Sequence, residues 1–403
     1  MSIAPGPPLP RSASRPDASL FDFSLTAEQI QLRETVRSMM ARHAPPAVLR
    51  QLDEAHDYPY ELYAQWAELG LLTLPFPSEV GGSDGGVVDL VLLGEELGRS
   101  GYDLTGIYGT PLFTGLNVLH HGTAEQREQY LPPLLEGKIR LSVAMTEAGA
   151  GSDVGAMRMR AEPFGDGFVL NGEKVFASGA GVEDTFICVY ARTRRDGPHQ
   201  SAISAFLVDN RSPGLTIVNI PTLGRHLFPT TQLVFDNVEV PADALLGPLH
   251  GGWDVLLAGL RLERLVTSAA YVGNAQAVVD EALEYAKQRE QFGRRIGDFQ
   301  AIAHLLADMA TDVEAARWLT YRAAWLLDTG QDALLEICMA KLFGSERFVQ
   351  IARNGLQILG GYGYSMEFPM QRHMRAALGS TITAGTSQMQ RDIIARQLGL
   401  RPR

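Results

Sequence analysis

The apolar periodicity of this chain changes twice, and nothing else in the sequence limits its fold so strongly. Up to about Glu136 apolar residues recur at helical spacing. From Gly137 to Gly247 they come in short runs bounded by turn residues, and from Gly252 onward the helical spacing returns in long stretches. Ser24 or Thr26 is placed to cap a helix running through Arg42, and Glu61 to Leu69 and Asp89 to Arg99 are further amphipathic stretches. Pro75 to Gly86 between them must be loop. In the middle block Leu141 to Met145, Phe186 to Ala191, Ile203 to Val208, Leu215 to Ile220 and Gln232 to Phe235 read as strands, and Asn171-Gly172 reads as a hairpin turn. Trp253 to Arg289 contains no proline, and Asp298 to Thr329 and Asp332 to Leu359 follow with short connections, the pattern of an antiparallel bundle. The expected fold class is α+β multidomain. It comprises an N-terminal helical domain over 21–136, a middle β-barrel or β-sandwich domain over 137–247, and a C-terminal four-helix bundle over 248–403.

Composition narrows the function. A formal net charge of −11 disfavours nucleic acid as a partner, because phosphate neutralisation needs clustered Lys and Arg. The two cysteines, Cys188 and Cys338, fall in a strand-like run and a helical pattern and read as reduced core residues. No Cys or His spacing suits a metal, and no apolar run approaches the ~20 residues of a membrane span. Residues 1–20 carry five prolines and two arginines without an apolar centre, so they read as a disordered arm rather than a secretory signal. A cytoplasmic location is the expectation.

The richest local signal is Thr146 to Asp153, TEAGAGSD, directly after the strand-like run. Its glycines let a backbone pass close to a ligand, and hydroxyls stand at Thr146 and Ser152. Taken alone it is equally a Gly-rich surface turn. The spacing Gly149-Gly151-Gly155 is not a dinucleotide-binding G-x-G-x-x-G.

A second signal lies on the long helix from Trp253. The face Leu256, Gly259, Leu260, Glu263, Val266, Thr267, Ala270 carries one charge, Glu263. A carboxylate held in an apolar stripe has its pKa raised, which brings it toward the range of a general base at neutral pH. The structural alternative is an ion pair with Arg261, Arg264 or another helix.

These segments together resemble the acyl-CoA dehydrogenase family, over roughly residues 22–400. TEAGAGSD is similar to the family's flavin-contacting TEPGAGSD, with Ala148 for the proline. KVFASGA (Lys174 to Ala180) is similar to K-x-W-I-T-N-G, with Phe176 for the tryptophan and Ser178 for the threonine. R-x-x-F-G appears at Arg289 to Gly293, and QILGGYGY at Gln357 to Tyr364. Most members carry the base in a Tyr-Glu-Gly-Thr motif, which here reads Thr383-Ala384-Gly385-Thr386. A subgroup typified by isovaleryl-CoA dehydrogenase instead combines LERLV with AGTS, and this chain has both, at Leu262 to Val266 and Ala384 to Ser387. The resemblance implies FAD as cofactor. It implies FAD contacts from Val143, Met145, Thr146, Gly151, Ser152, Phe176, Ser178, Arg289, Phe292, Gln300, Gln357, Gly360, Gly361, Thr386 and Gln388. Glu263 is the implied base, and Ser152, Arg264, Ala384 and Gly385 the implied substrate contacts. An acyl-CoA or acyl-carrier-protein thioester is the implied substrate, an electron-transferring flavoprotein the acceptor, and a homotetramer the assembly. Gly293 reads also as a helix C-cap.

The sequence departs from the pattern at Arg375-Ala376-Ala377-Leu378, where Arg-Asp-Ala-Arg is common, and at Thr222-Leu223-Gly224-Arg225-His226, where a lysine is missing. Rival readings are a flavin monooxygenase on the same fold and a non-catalytic subunit of a heteromeric dehydrogenase. The presence of Glu263 argues against both.

Overall fold

The computed structural model describes residues 24–198 and 201–401, so the arm expected at 1–20 lies outside the described residues. The first block is helical: α1 (Ala27–His43), α2 (Pro46–Ala55), α3 (Tyr60–Glu68), α4 (Val87–Gly98), α5 (Leu104–His121) and α6 (Ala124–Leu135). Thr26 caps α1 in a reciprocal capping box with Gln29, and Thr123 does the same for α6 with Gln126. Trp66, Tyr63, Tyr108 and Phe76 are fully buried between these helices. Their rings meet edge-on, with Trp66 5.9 Å from Tyr63 and 5.8 Å from Tyr108.

The middle block contains β1 (Arg140–Ala144), β2 (Arg160–Phe164), β3 (Gly167–Ser178), β4 (Thr185–Arg192), β5 (Ile203–Asp209), β6 (Leu215–Asn219), β7 (Thr230–Val240) and β8 (Leu245–Leu246). The strand order is β6-β7-β3-β2-β4-β5-β8, with β1 pairing parallel to β4. The path ends at β6 and β8, which do not pair with each other, so of the two expected forms the open, sandwich-like one is present and not the closed barrel. A core of Leu170, Ile187, Val189, Phe206, Leu233 and Phe235 fills one side.

One expectation is overturned here. Asn171-Gly172 is not a hairpin turn but lies inside the continuous strand β3. The chain reverses at Gly165-Asp166 between β2 and β3, and the Asn-Gly pair makes an irregularity in the β3–β7 register between Leu170 and Gly172. Gly172 has φ +137, and a Cβ there would lie 2.9 Å from the Met159 Cα. The glycine is needed for a bulge and close backbone approach, which sequence cannot tell from a turn.

The last block is α7 (Gly252–Gln288), the hairpin β9 (Glu290–Gln291) and β10 (Arg294–Arg295), α8 (Gln300–Asp328), α9 (Leu334–Leu359), the short α10 (Gly361–Tyr364), α11 (Met370–Ser380) and α12 (Ser387–Gln397). Val278, Met309, Val313, Phe348 and Ile351 form the bundle core. Gly293 is the hairpin turn, with φ +75, and not a helix cap: α7 already ends at Gln288. At the crossing of α4 and α7, Gly273 has room for no side chain, since a Cβ would lie 1.9 Å from the Glu95 carbonyl oxygen. That contact brings the N-terminal helices directly onto the helix that carries Glu263. Among the described residues, no helix is long and apolar enough to cross a membrane.

Candidate active site

Glu263 stands on α7 with only part of its surface reached by solvent. Burial raises its pKa above the ordinary carboxylate value, against the opposing fields of Arg264 and Arg225. Its carboxylate makes no hydrogen bond or ion pair among the described residues. The ion-pair alternative is therefore not taken: Arg261 pairs with Asp332 at 3.3 Å, and Arg264 turns to the C-terminal turn.

That turn is built from three directions. Arg264 Nε donates to the Ala384 carbonyl at 3.2 Å, Lys341 Nζ to the Gly385 carbonyl at 2.7 Å, and Gln390 Nε2 to both, at 3.3 and 3.0 Å. Ala384 and Gly385 both have positive φ, +53 and +88. With the carbonyls drawn to one side, the N–H groups of Ala384 and Gly385 donate to nothing among the described residues. Two successive free N–H groups of this kind suit an oxygen that gains negative charge. Thr386 accepts from the Met389 N–H and caps α12.

Around Glu263 stand groups that sequence reasoning missed. Arg225 Nε reaches Asp103 Oδ2 at 2.6 Å, joining the β6–β7 connection to the start of α5, and both act electrostatically on Glu263. The Tyr271 hydroxyl lies 3.2 Å from Thr383 Oγ1. Lys341 and Gln390 are also new. A Lys at the third turn of an apolar helix is the signal for Lys341, but its target, a backbone carbonyl 44 residues away, is invisible in sequence.

The loop Thr146 to Asp153 is fixed by a buried ion pair. Lys174, 0 % exposed, donates to Glu147 Oε1 at 2.8 Å and to the Met145 carbonyl at 3.0 Å. Glu147 in turn accepts from the Arg158 and Met159 N–H groups. Val175 N–H donates to the Thr146 carbonyl at 2.9 Å, so the TEAGAGSD and KVFAS segments lie side by side. Val143 on β1 is half-buried, Gly151 and Ser152 are exposed, and Ser178 is half-buried. Phe176 sits at a second register shift of β3 with φ +60, which leaves its ring 62 % exposed. A Cβ at Gly149 or Gly151 would meet nothing within 4 Å, so this edge can receive a flat ligand.

A second group gathers at the other end of the bundle. Arg289 lies over the Tyr362 ring at 5.9 Å, next to Gly360 and Gly361, which likewise face open space. Phe292, at the tip of the β9–β10 hairpin, is 95 % exposed. Gln300 and Gln357 are exposed on α8 and α9, whereas the exposed Gln388 lies in the first turn of α12, directly after the Ala384–Gly385 turn. No hydrogen bond, ion pair or ring contact among the described residues joins Arg289, Phe292, Gln300, Gln357, Gly360 or Gly361 to the Ala384–Gly385 turn or to the Thr146 to Asp153 loop. Also among the described residues, no three His, Cys, Asp or Glu side chains are grouped to hold a metal ion.

Comparison with known proteins agrees with this architecture. Models of the acyl-CoA dehydrogenase N-terminal, middle and C-terminal domains match residues 26–138, 142–238 and 250–399. The chain belongs to the acyl-CoA dehydrogenase family, and it is an oxidoreductase acting on CH–CH bonds. It is similar to the "probable acyl-CoA dehydrogenase YngJ" of Bacillus subtilis, 38% identical over 94% of this chain and 99% of the relative. Bovine mitochondrial isovaleryl-CoA dehydrogenase is 37% identical over 92% and 88%. The caffeyl-CoA reductase-Etf complex subunit CarC of Acetobacterium woodii is 37% identical over 91% and 97%, so identity does not single out the isovaleryl subgroup. Among solved structures, a glutaryl-coenzyme A dehydrogenase–glutaryl-CoA complex superposes with a TM-score of 0.90 at 33% identity, covering 94% of this chain and 98% of the other. "PigA with FAD and proline" superposes with 0.89 at 32%, covering 95% and 100%.

Proposed function

We propose that this chain dehydrogenates an acyl thioester between Cα and Cβ, with Glu263 as the base that takes the α-proton. The observation that carries this reading is the pairing of an unpartnered, partly buried carboxylate at Glu263 with the free N–H groups of Ala384 and Gly385. The two are linked through Arg264, the residue next to Glu263.

The cofactor is FAD, which supplies a hydride acceptor for an unactivated Cβ–H bond. Thr146, Gly151, Ser152, Phe176 and Ser178, with Val143 and Met145 behind them, would hold the flavin end. Arg289, Phe292, Gln300, Gln357, Gly360 and Gly361 would hold the dinucleotide end, and Thr386 and Gln388 would contact FAD from the Ala384–Gly385 turn. Arg289 suits a pyrophosphate and the exposed Phe292 an adenine face. Because no hydrogen bond, ion pair or ring contact among the described residues joins Arg289, Phe292, Gln300, Gln357, Gly360 or Gly361 to the flavin end, the cradle would be completed between copies, in a homotetramer.

Proton removal needs Glu263 ionised at the start and leaves it neutral, and burial favours the neutral end state. As the α-proton leaves, charge grows on the thioester oxygen, and an Ala384 or Gly385 N–H aimed at it is worth ~3 kcal/mol. Ser152 would contact the carrier arm of the thioester. Electrons would pass to an electron-transferring flavoprotein, and the expected location is cytoplasmic. Domain limits near 136 and 247 would set the middle domain between the helical ones.

The test is anaerobic flavin bleaching near 450 nm (roughly the oxidised-flavin band) with saturated and α,β-unsaturated thioesters, for wild type and Glu263→Gln. Bleaching by saturated thioesters in wild type alone supports the reading. Bleaching of equal rate in both proteins removes Glu263 as base. Oxidation of pre-reduced flavin by the unsaturated panel, without bleaching by the saturated one, makes the chain a reductase.

A further inference from the structure

A cavity of about 650 Å³ opens on the middle domain beside the end of β4. Arg158, Arg160, Arg192, Arg194 and Arg195 line it, against a single carboxylate, Glu162. Glu162 is already engaged, by Arg195 Nη2 at 3.1 Å. The other four guanidinium groups have no hydrogen-bond or ion-pair partner among the described residues, in a chain whose net charge is −11. Strand pairing even sets Arg160 directly beside Arg192, a like-charge neighbour pair that destabilises a sheet. Arg158, Arg160 and Arg194 are exposed and Arg192 is half-buried. So dense a positive field in an acidic protein attracts an anion.

Two kinds of anion differ in what they would need. Guanidinium groups hold phosphate as well as carboxylate, so what distinguishes a nucleotide is its base, which needs an aromatic face, and its polyphosphate, which gains from the convergent N–H groups of a glycine-rich turn. The cavity wall contains no glycine and no aromatic residue, and the Glu162 carboxylate stands on it. Carboxylates spaced along a protein helix instead match arginines spread over β2, the segment before it and the end of β4, each able to take one carboxylate bidentately.

We infer that this cavity docks an acidic helix of a partner protein. The Arg158 N–H donates to Glu147 at 2.6 Å, so a partner seated here lies beside the Thr146 to Asp153 loop. The inference does not depend on the role of Glu263.

The full-length holoprotein is titrated with a fluorescein-labelled helical peptide carrying Glu on one face at i, i+3, i+4 and i+7. Its Lys counterpart serves as control and adenosine 3′,5′-bisphosphate as competitor. Saturable binding of the Glu peptide alone is expected, weakening as salt rises. The Arg160→Glu/Arg192→Glu variant is expected to bind at least about tenfold more weakly, with unchanged flavin content. Arg158→Glu/Arg194→Glu, outside the strand pairing, repeats the test if the first variant fails to fold. Displacement of the peptide by stoichiometric bisphosphate would make this a nucleotide site and overturn the inference. Failure of the peptide to bind at low salt, or binding that survives both charge reversals, would overturn it as well.

Discussion

Arg264 reaches from α7 to the Ala384 carbonyl oxygen, 3.2 Å away and 120 residues further along the chain. Its neighbour on the helix is Glu263, so one turn of helix both carries the proposed base and orients the proposed oxyanion donors. Replacing Arg264 by Met removes a charge-assisted hydrogen bond worth about 1.5–3 kcal/mol, although Gln390 still reaches the same carbonyl. If that energy is used to hold the turn in its reacting geometry, kcat falls about 10–100-fold. Flavin content should stay constant, and Arg264→Lys should recover part of the loss. Stopped-flow bleaching at saturating thioester is the measurement, and a change confined to KM would contradict the assignment.

Glu263 makes the reaction depend on pH in a definite sense. Its pKa is raised by burial, and the base must be ionised, so the rate constant for bleaching should climb with pH through a value above the usual ~4.3 of a glutamate. Stability moves the opposite way. A raised folded-state pKa means that the folded protein holds this proton more tightly than the unfolded chain, so stability falls as pH rises from the unfolded to the folded value. Glu263→Gln should therefore unfold at higher denaturant than wild type near pH 8 and lose that advantage at pH 4. Equal midpoints at both pH values would show that the carboxylate is not desolvated.

Lys341 gives a second signature, in the alkaline range. Desolvation, aided by the nearby Arg264, pushes its pKa down to about 8. Between about 8 and the unperturbed ~10.4 the unfolded chain holds this proton more tightly than the folded one. Stability from this group therefore rises with pH across that window. In Lys341→Met the rise should vanish, and the Gly385 carbonyl should keep only its bond from Gln390. Denaturant midpoints measured from pH 7.5 to 10.5 decide it: an unchanged slope in the variant would place the titration elsewhere.

The order of helical, sheet and helical blocks was legible because each block sustains its own period over many residues. Thr26, Ala384 and the stripe around Glu263 could be placed because a capping motif, a short exchange of motifs and a lone charge are local signals. What failed was also local. Asn171-Gly172 looked like a turn because a bulge needs the same positive φ, +137 at Gly172. The parts of the site that depend on distant partners were invisible: Arg225 with Asp103 is 122 residues apart, and Lys341 with Gly385 is 44. The proposed FAD contacts at Arg289 and Phe292 also stand apart from the flavin end: Phe292 is 95 % exposed, with Phe299 at 6.4 Å as its ring neighbour among the described residues.

The loop from Thr146 to Asp153 depends on a buried pair whose two halves cannot be removed separately without cost. Burial alone would raise the Glu147 carboxyl. The charge and hydrogen bond of Lys174, with the Arg158 and Met159 N–H groups, outweigh that and hold its pKa low. Lys174 itself is shifted down by its own burial, against the pull of Glu147. Glu147→Ala strands a fully buried ammonium and frees two backbone donors, a change that typically costs about 3–5 kcal/mol. The Thr146 to Asp153 loop would lose its staple at the same time. Lys174→Met combined with Glu147→Ala removes both charges and should cost much less than the sum of the two single changes. In wild type the contribution of Glu147 is present above the unfolded glutamate pKa and is lost as pH falls through the depressed folded value. Urea unfolding of the four proteins at pH 7, with flavin content measured on each, tests the account. Additive losses in the cycle would show that Lys174 and Glu147 act independently and that the loop is held by its backbone alone.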